Sequence, residues 1–219
     1  MIDINNLTFS YNGAAPYLIE KLNLNIKDGS YTSILGENGS AKTTLIKLIL
    51  GLLKPLSGTI NLSTKNIGYV PQRLDSFNSK FPITVFELLK CHMKVSKISD
   101  NKIIDKCLGS VDMKDFKKSL IGNLSGGQMQ KIFIARALMG YPKLLIFDEP
   151  STGIDTKSQK EIYSLISHLN KHLHITVLAV EHNLKAAMEN STHICTMENG
   201  VCNMYTILEY KKLNEIINK

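Results

Sequence analysis

Apolar residues recur with a period of two at the start of the chain, at Ile2, Ile4, Leu7 and Phe9 and again at Leu18, Leu22, Leu24 and Ile26, with the turn-forming pair Asn12-Gly13 between them. This spacing predicts two strands of an antiparallel layer. A further apolar strand, Tyr31–Leu35, runs into Gly36-Glu37-Asn38-Gly39-Ser40-Ala41-Lys42-Thr43-Thr44, after which Leu45, Leu48, Ile49 and Leu52 mark one face of a helix ending near Gly51. Ser57-Gly58 then turns into a strand over 59–62, and Gly68-Tyr69-Val70 forms a short strand stopped by Pro71, which cannot donate to a ladder. Over 73–139 the period becomes helical, at Val85, Leu88, Leu89 and His92 and at Ile103, Ile104, Cys107 and Leu108, with no clear strand.

Strand patterning resumes with Leu144-Leu145-Ile146-Phe147, a continuous apolar run of the kind buried on both faces, ending in Asp148-Glu149-Pro150. A helix over 157–171 with Ile162, Leu165, Ile166 and Leu169 inward leads to a second buried strand, 175–180, which ends in Glu181-His182. Then come a helix over 183–189, a hairpin of 194–197 and 201–205 joined through Glu198-Asn199-Gly200, and an amphipathic helix, Ile207–Ile217. The expected fold class is α/β: one domain with a parallel sheet and an N-terminal antiparallel β layer. Residues 1–72 and 140–219 would form the core, and 73–139 an inserted α-helical subdomain.

Composition narrows the function. The chain has 219 residues, 43% of them hydrophobic, and a net charge of +7. Its basic residues are spread out, and only Arg73 and Arg136 are arginines, so a solvated lysine-rich surface is favoured over a nucleic-acid groove. Cys91, Cys107, Cys195 and Cys202 lack paired metal spacing and fall in segments that read as core helix or strand, as reduced structural thiols would. His168, His172 and His174 sit together at a polar helix end without an acid or cysteine in ligand spacing, and read as a solvated face. The N-terminus lacks a basic-then-apolar pattern, and the longest apolar run, 48–53, is broken by Gly51 and is too short for a bilayer. A cytosolic protein is expected.

Chemistry concentrates in four places. In the loop 36–44 glycines let backbone N–H groups approach phosphate, a helix start adds positive potential, and Lys42 followed by Thr43 and Thr44 can serve phosphate and Mg²⁺. Leu124-Ser125-Gly126-Gly127-Gln128 offers a hydroxyl and two glycines at another helix start, which suits an anion but also suits an ordinary cap. Asp148 and Glu149 divide as phosphoryl transfer requires, one carboxylate for Mg²⁺ and one for the attacking water. His182 ends a strand at the same edge of the sheet, where parallel α/β folds place their ligands. Tyr11 ends the first strand and reads either as a stacking platform for a base or as a packing residue.

These motifs, with Gln72, occur in the order of the ATP-binding-cassette ATPases, a P-loop NTPase family that the chain resembles over nearly its whole length. The resemblance implies that Tyr11 stacks on adenine and that Gly36, Asn38, Gly39, Ser40, Ala41, Lys42, Thr43 and Thr44 cradle ATP. It further implies that Thr43, Gln72 and Asp148 serve Mg²⁺, that Glu149 is the catalytic base, and that His182 and Gln72 complete the catalytic set. Ser125, Gly126, Gly127 and Gln128 would face the ATP of a second copy of the chain in a homodimer, with 151–155 crossing between the sites. The segment after Gln72, from Arg73 to Glu87, resembles the manganese/zinc/iron importer subfamily, although importers of other solutes such as iron chelates carry similar stretches. Implied partners are a separate integral-membrane permease, docked through 74–90 with Lys80 and Phe81 at the contact, and, indirectly, an extracellular or periplasmic substrate-binding protein. The subunit would lie in the cytoplasm on the inner face of the membrane.

One residue departs from the family pattern. Ala41 stands where the loop motif has glycine, and its methyl keeps about 3.5 Å from an oxygen whereas N–H groups must reach phosphate at about 2.9 Å. Losing one charge-assisted contact costs about 1.5–3 kcal/mol, so ATP binding weaker by roughly tenfold or more is expected, and with it the alternative of an ATP-binding module with little turnover. Stability is expected not to suffer, because Ala at a helix start is preferred to Gly by about 1 kcal/mol.

Overall fold

The computed structural model describes residues 1–72, 82–100 and 102–217. Arg73 to Phe81, including the docking residues Lys80 and Phe81, lie outside the described residues.

The antiparallel layer has three strands in the order β2-β1-β4, from β1 (Ile2–Phe9), β2 (Ile19–Ile26) and β4 (Ser57–Leu62). Two had been expected; the segment after Ser57-Gly58 pairs with the free edge of β1. The phase change in β1, from even positions (Ile2, Ile4) to odd ones (Leu7, Phe9), is absorbed by a register shift with Asn6 at φ 50°, which keeps all four side chains on the buried face. In β2 the inward residue is Ile19 rather than Leu18, because Phe9 pairs with Ile19.

The main sheet runs β5-β6-β7-β3-β8-β9, built from β3 (Tyr31–Leu35), β5 (Ile67–Val70), β6 (Leu144–Asp148), β7 (Thr176–Val180), β8 (His193–Glu198) and β9 (Val201–Thr206). All neighbours are parallel except β9, which returns antiparallel to β8 through Asn199-Gly200, both at positive φ, as a two-residue hairpin requires. β6 is buried along its length because its two faces meet different cores. Leu144 and Ile146 pack toward the antiparallel layer and α1 (Lys42–Ile49), whereas Leu145 and Phe147 pack toward the helices α2 (Val85–Val95), α3 (Ile103–Ser110), α4 (Gly126–Leu138) and α5 (Thr156–Leu173). Between β5 and β6 the described residues form helices, short turns and one isolated antiparallel bridge, Thr84 with Leu120. The short α6 (Leu184–Asn190) and the terminal α7 (Ile207–Ile217) complete the chain, and no helix among the described residues is long and apolar enough to cross a membrane.

Two further expectations change. Leu52 is 66% exposed, because α1 ends at Ile49 and the chain turns out through Gly51 at φ 70°. Cys91 is exposed on the outer side of α2, while Cys107 and Cys195 are buried. His168, His172 and His174 are exposed at the end of α5, the first two with ring centroids 4.6 Å apart.

Candidate active site

Register sets the site. Parallel pairing aligns Ile34 with Val180 and Asp148 with Val180, so the segments leaving β3, β6 and β7 emerge at one level on the carboxyl edge of the sheet. Those segments are the loop 36–44, Glu149 and Glu181-His182, and β5 delivers Pro71-Gln72 beside them. Together they enclose a cavity of about 540 Å³ lined by Asn38, Gly39, Ala41, Lys42, Thr43, Thr44, Gln72, Glu149 and His182, with Leu18 at its rim.

Within the loop, Gly36 is needed for close approach, since a Cβ there would lie 2.3 Å from the Met197 carbonyl oxygen. Lys42 Nζ donates to the carbonyls of Gly36 and Glu37, each at 2.7 Å, so the loop is already folded around its own ammonium. Burial lowers the Lys42 pKa, against an opposing pull from Glu149 and Asp148. Ala41 is the N-cap of α1 in a left-handed conformation, φ 72° and ψ 15°, with no side-chain cap. The stability expectation is therefore corrected: helix propensity does not apply to a residue held in the conformation that favours glycine. Its methyl is 7% exposed, among the apolar side chains under the antiparallel layer, and also borders the cavity.

Asp148 is 2% exposed, and its Oδ1 accepts from Thr43 Oγ1 at 3.3 Å. Burial raises its pKa, the Thr43 hydrogen bond lowers it, and the neighbouring Glu149 charge raises it again. A buried carboxylate beside a hydroxyl, pressed by a second carboxylate, is a hard-oxygen donor set that suits Mg²⁺, which commonly takes one or two carboxylates and fills its sphere with phosphate and water. Glu149 is held through both of its carboxylate oxygens. One oxygen meets His182 Nε2 at 2.5 Å and the other accepts from Thr152 Oγ1 at 2.9 Å, with Gln72 beside them in the cavity wall. Burial pushes its pKa up, but the bonds to Thr152, His182 and Gln72 outweigh this and leave it lowered, so the carboxylate is ionised at neutral pH. In the sequence Thr152 reads only as part of the turn within 151–155, and its hold on Glu149 appears with the structure, though its place three residues after an acid is a local signal.

Tyr11 is 66% exposed, packs edge-on against Phe9 at 5.1 Å and shares a 3.1 Å hydrogen bond with Thr44. The ring is thus tied to Thr44, which lines the cavity, and remains largely exposed. Ser125, Gly126, Gly127 and Gln128 do not line this cavity. They cap α4, where Ser125 Oγ accepts from Gln128 N–H and Gln128 Oε1 accepts from Ser125 N–H. Ser125 and Gly126 are exposed, but Gly127 is buried for a reason internal to the chain: a Cβ there would lie 2.5 Å from Ser158 Cβ on α5.

Residues 19–152 match the family model described as ABC transporter. The chain is 44% identical over 203 residues to a probable metal transport system ATP-binding protein of Treponema pallidum, covering 91% of this chain and 85% of that protein. It is 36% identical to the high-affinity zinc uptake system ATP-binding protein ZnuC of Bacillus subtilis, covering 99% of each. Among solved structures, a bacterial ABC transporter cassette determined as a dimer superposes with a TM-score of 0.79 at 27% identity, covering 94% of this chain and 99% of that one.

Proposed function

Because the chain belongs to the ABC transporter family, as an ATP-binding and ATP-hydrolysing subunit, we propose that it powers uptake of a metal ion, zinc, manganese or iron, through a separate membrane permease. The observation that carries this reading is the convergence of Lys42, Thr43, Gln72, Glu149 and His182 on one cavity, in a chain whose relatives are metal-transport ATP-binding proteins.

In this reading the backbone of 36–44 and the Lys42 ammonium receive the phosphates, Lys42 exchanging the Gly36 and Glu37 carbonyls for phosphate oxygens. Thr43, Asp148 and Gln72 would hold Mg²⁺, which would supply positive charge to offset that on the phosphates. Glu149, ionised and oriented by Thr152 and Gln72, accepts a proton from the attacking water, and His182 contacts the terminal phosphate. Tyr11 carries the base. Ser125 and Gly126, exposed and outside the chain's own cavity, serve the ATP of a second copy, and the dimeric state of a similar cassette supports that pairing. Residues 73–139 form the subdomain that receives the permease through 74–90, and the subunit works on the cytoplasmic face of the membrane, linked to an external binding protein only through the permease.

The test is metal accumulation in cells lacking this subunit. Wild-type chain restores uptake of radioactive zinc or manganese, and Glu149→Gln does not; restoration by Glu149→Gln, or no metal dependence at all, rejects the reading. The left-handed Ala41 favours a second reading, a module that binds ATP with little turnover. Steady-state hydrolysis by the wild-type chain and by Ala41→Gly separates the two.

A further inference from the structure

Glu181 lies directly behind the cavity and is 2% exposed. Its backbone N–H donates to Ile34 O at 3.0 Å, fixing it to the strand that feeds the phosphate loop. Tyr163 OH, on α5, donates to Glu181 Oε2 at 2.8 Å, and the Tyr163 oxygen lies 2.7 Å from Ser151 Oγ. Because Tyr163 spends its proton on Glu181, Ser151 must donate to Tyr163. Glu181 Oε1 has no hydrogen-bond partner. The titratable groups facing it are Tyr163 on α5, Tyr31 on β3 and Glu149 beyond β6, with His182 next in the chain.

These contacts close a ring. Glu149 binds His182 and Thr152; Thr152 follows Ser151; Ser151 binds Tyr163, Tyr163 binds Glu181, and Glu181 precedes His182. The ring encloses a strained residue, since Glu149 sits at φ 54°, a left-handed conformation that persists only where surroundings impose it. We propose that Glu181 is a positioning residue for hydrolysis: acting through Tyr163 and Ser151, it fixes the 149–155 turn against the strand end that carries His182, and so holds the Glu149 carboxylate in its working geometry. The proposal rests on Glu149 acting as the base.

Burial pushes the Glu181 pKa up to about 8, so at neutral pH the side chain is an uncharged acid. Ionisation above this range would strengthen the bond from Tyr163 while placing a negative charge near Glu149. A glutamine can reproduce the neutral acid, its carbonyl accepting from Tyr163; an alanine cannot.

The experiment compares Tyr163→Phe, Glu181→Ala and Glu181→Gln in the full chain, by amide hydrogen exchange over 149–155 and by steady-state turnover. Tyr163→Phe and Glu181→Ala are expected to speed exchange in that turn by about tenfold and to lower kcat by about tenfold, with KM for ATP·Mg²⁺ changed less than about twofold. Glu181→Gln, whose carbonyl can still accept from Tyr163, restores both. Unchanged exchange and turnover in Tyr163→Phe, or a Glu181→Gln variant as impaired as Glu181→Ala, overturns the proposal. If Glu149→Gln leaves turnover intact, the base assignment fails separately, and the exchange measurement still decides whether the ring holds the turn.

Discussion

Two helices of this chain, α1 and α4, start at glycine-containing turns, and both invite the same reading as anion sites. Their starts are in different chemical states. α1 has no side-chain cap, and its N-cap is Ala41 in a left-handed conformation, so the donors of its first turn are left for something outside the helix. At α4 the capping box of Ser125 and Gln128 satisfies donors internally. One helix start is incomplete without a ligand, whereas the other is already stable and can only lend its exposed Ser125 and Gly126 to a ligand held elsewhere. Readiness for an anion is therefore set by capping, not by glycine content.

The comparison can be tested from both ends. The largest effect belongs to the α1 side, where Glu149→Gln should lower turnover by about 10²–10⁴-fold while ATP binding persists, measured by phosphate release and by nucleotide titration. Next comes Ala41→Gly. Relief of the left-handed alanine is worth about 1–2 kcal/mol and loss of the buried methyl costs about 0.8 kcal/mol, so the variant should be more stable by up to about 1 kcal/mol in urea. It should also bind ATP·Mg²⁺ at least roughly tenfold more tightly by calorimetry; equal affinity would mean the methyl does not hinder the phosphates.

On the α4 side the effects fall on the fold. Gly127→Ala should destabilise by about 1–3 kcal/mol through the clash with Ser158, and adding Ser158→Gly should recover part of the loss beyond simple additivity. If the double variant is no better than the sum, Gly127 is not there for helix packing. Ser125→Ala is the mildest, about 1 kcal/mol from the lost cap, read by thermal melting. A loss much smaller than this would leave α4 no better capped than α1.

How far the sequence could be read follows from how local each cause is. The buried strand β6 and the acids at its end were legible because a continuous apolar run has few alternatives, and the cap at Ser125 because its partner is three residues away. The phase slip in β1 was visible in the spacing, but its remedy at Asn6 depended on pairing with β2 and β4. Gly127 could not be assigned to packing, since Ser158 meets it only once α4 and α5 are in place. Leu52 was misplaced because helical spacing continued past the point where Gly51 ends the helix. Ala41 was misjudged for a related reason: residue type suggested a helix position, while backbone geometry put it in the left-handed cap. The ring behind Glu149 joins β6, α5 and β7, and the only trace in the sequence is a tyrosine, Tyr163, beside Ile162 on the inward face of a helix.

The central place of β3 also governs when, during synthesis, this protein can begin to work. Residues 36–44 leave the ribosome early, but the strand supporting them is flanked by β7 and β8, with Tyr31 paired to Val177 and Thr32 to His193. Both neighbours are in place only once the chain has been made through β8, His193–Glu198. The loop near the start of the chain is therefore held by strands from its last third, and the order of the phosphate-facing backbone is tied to long-range pairing rather than to local sequence.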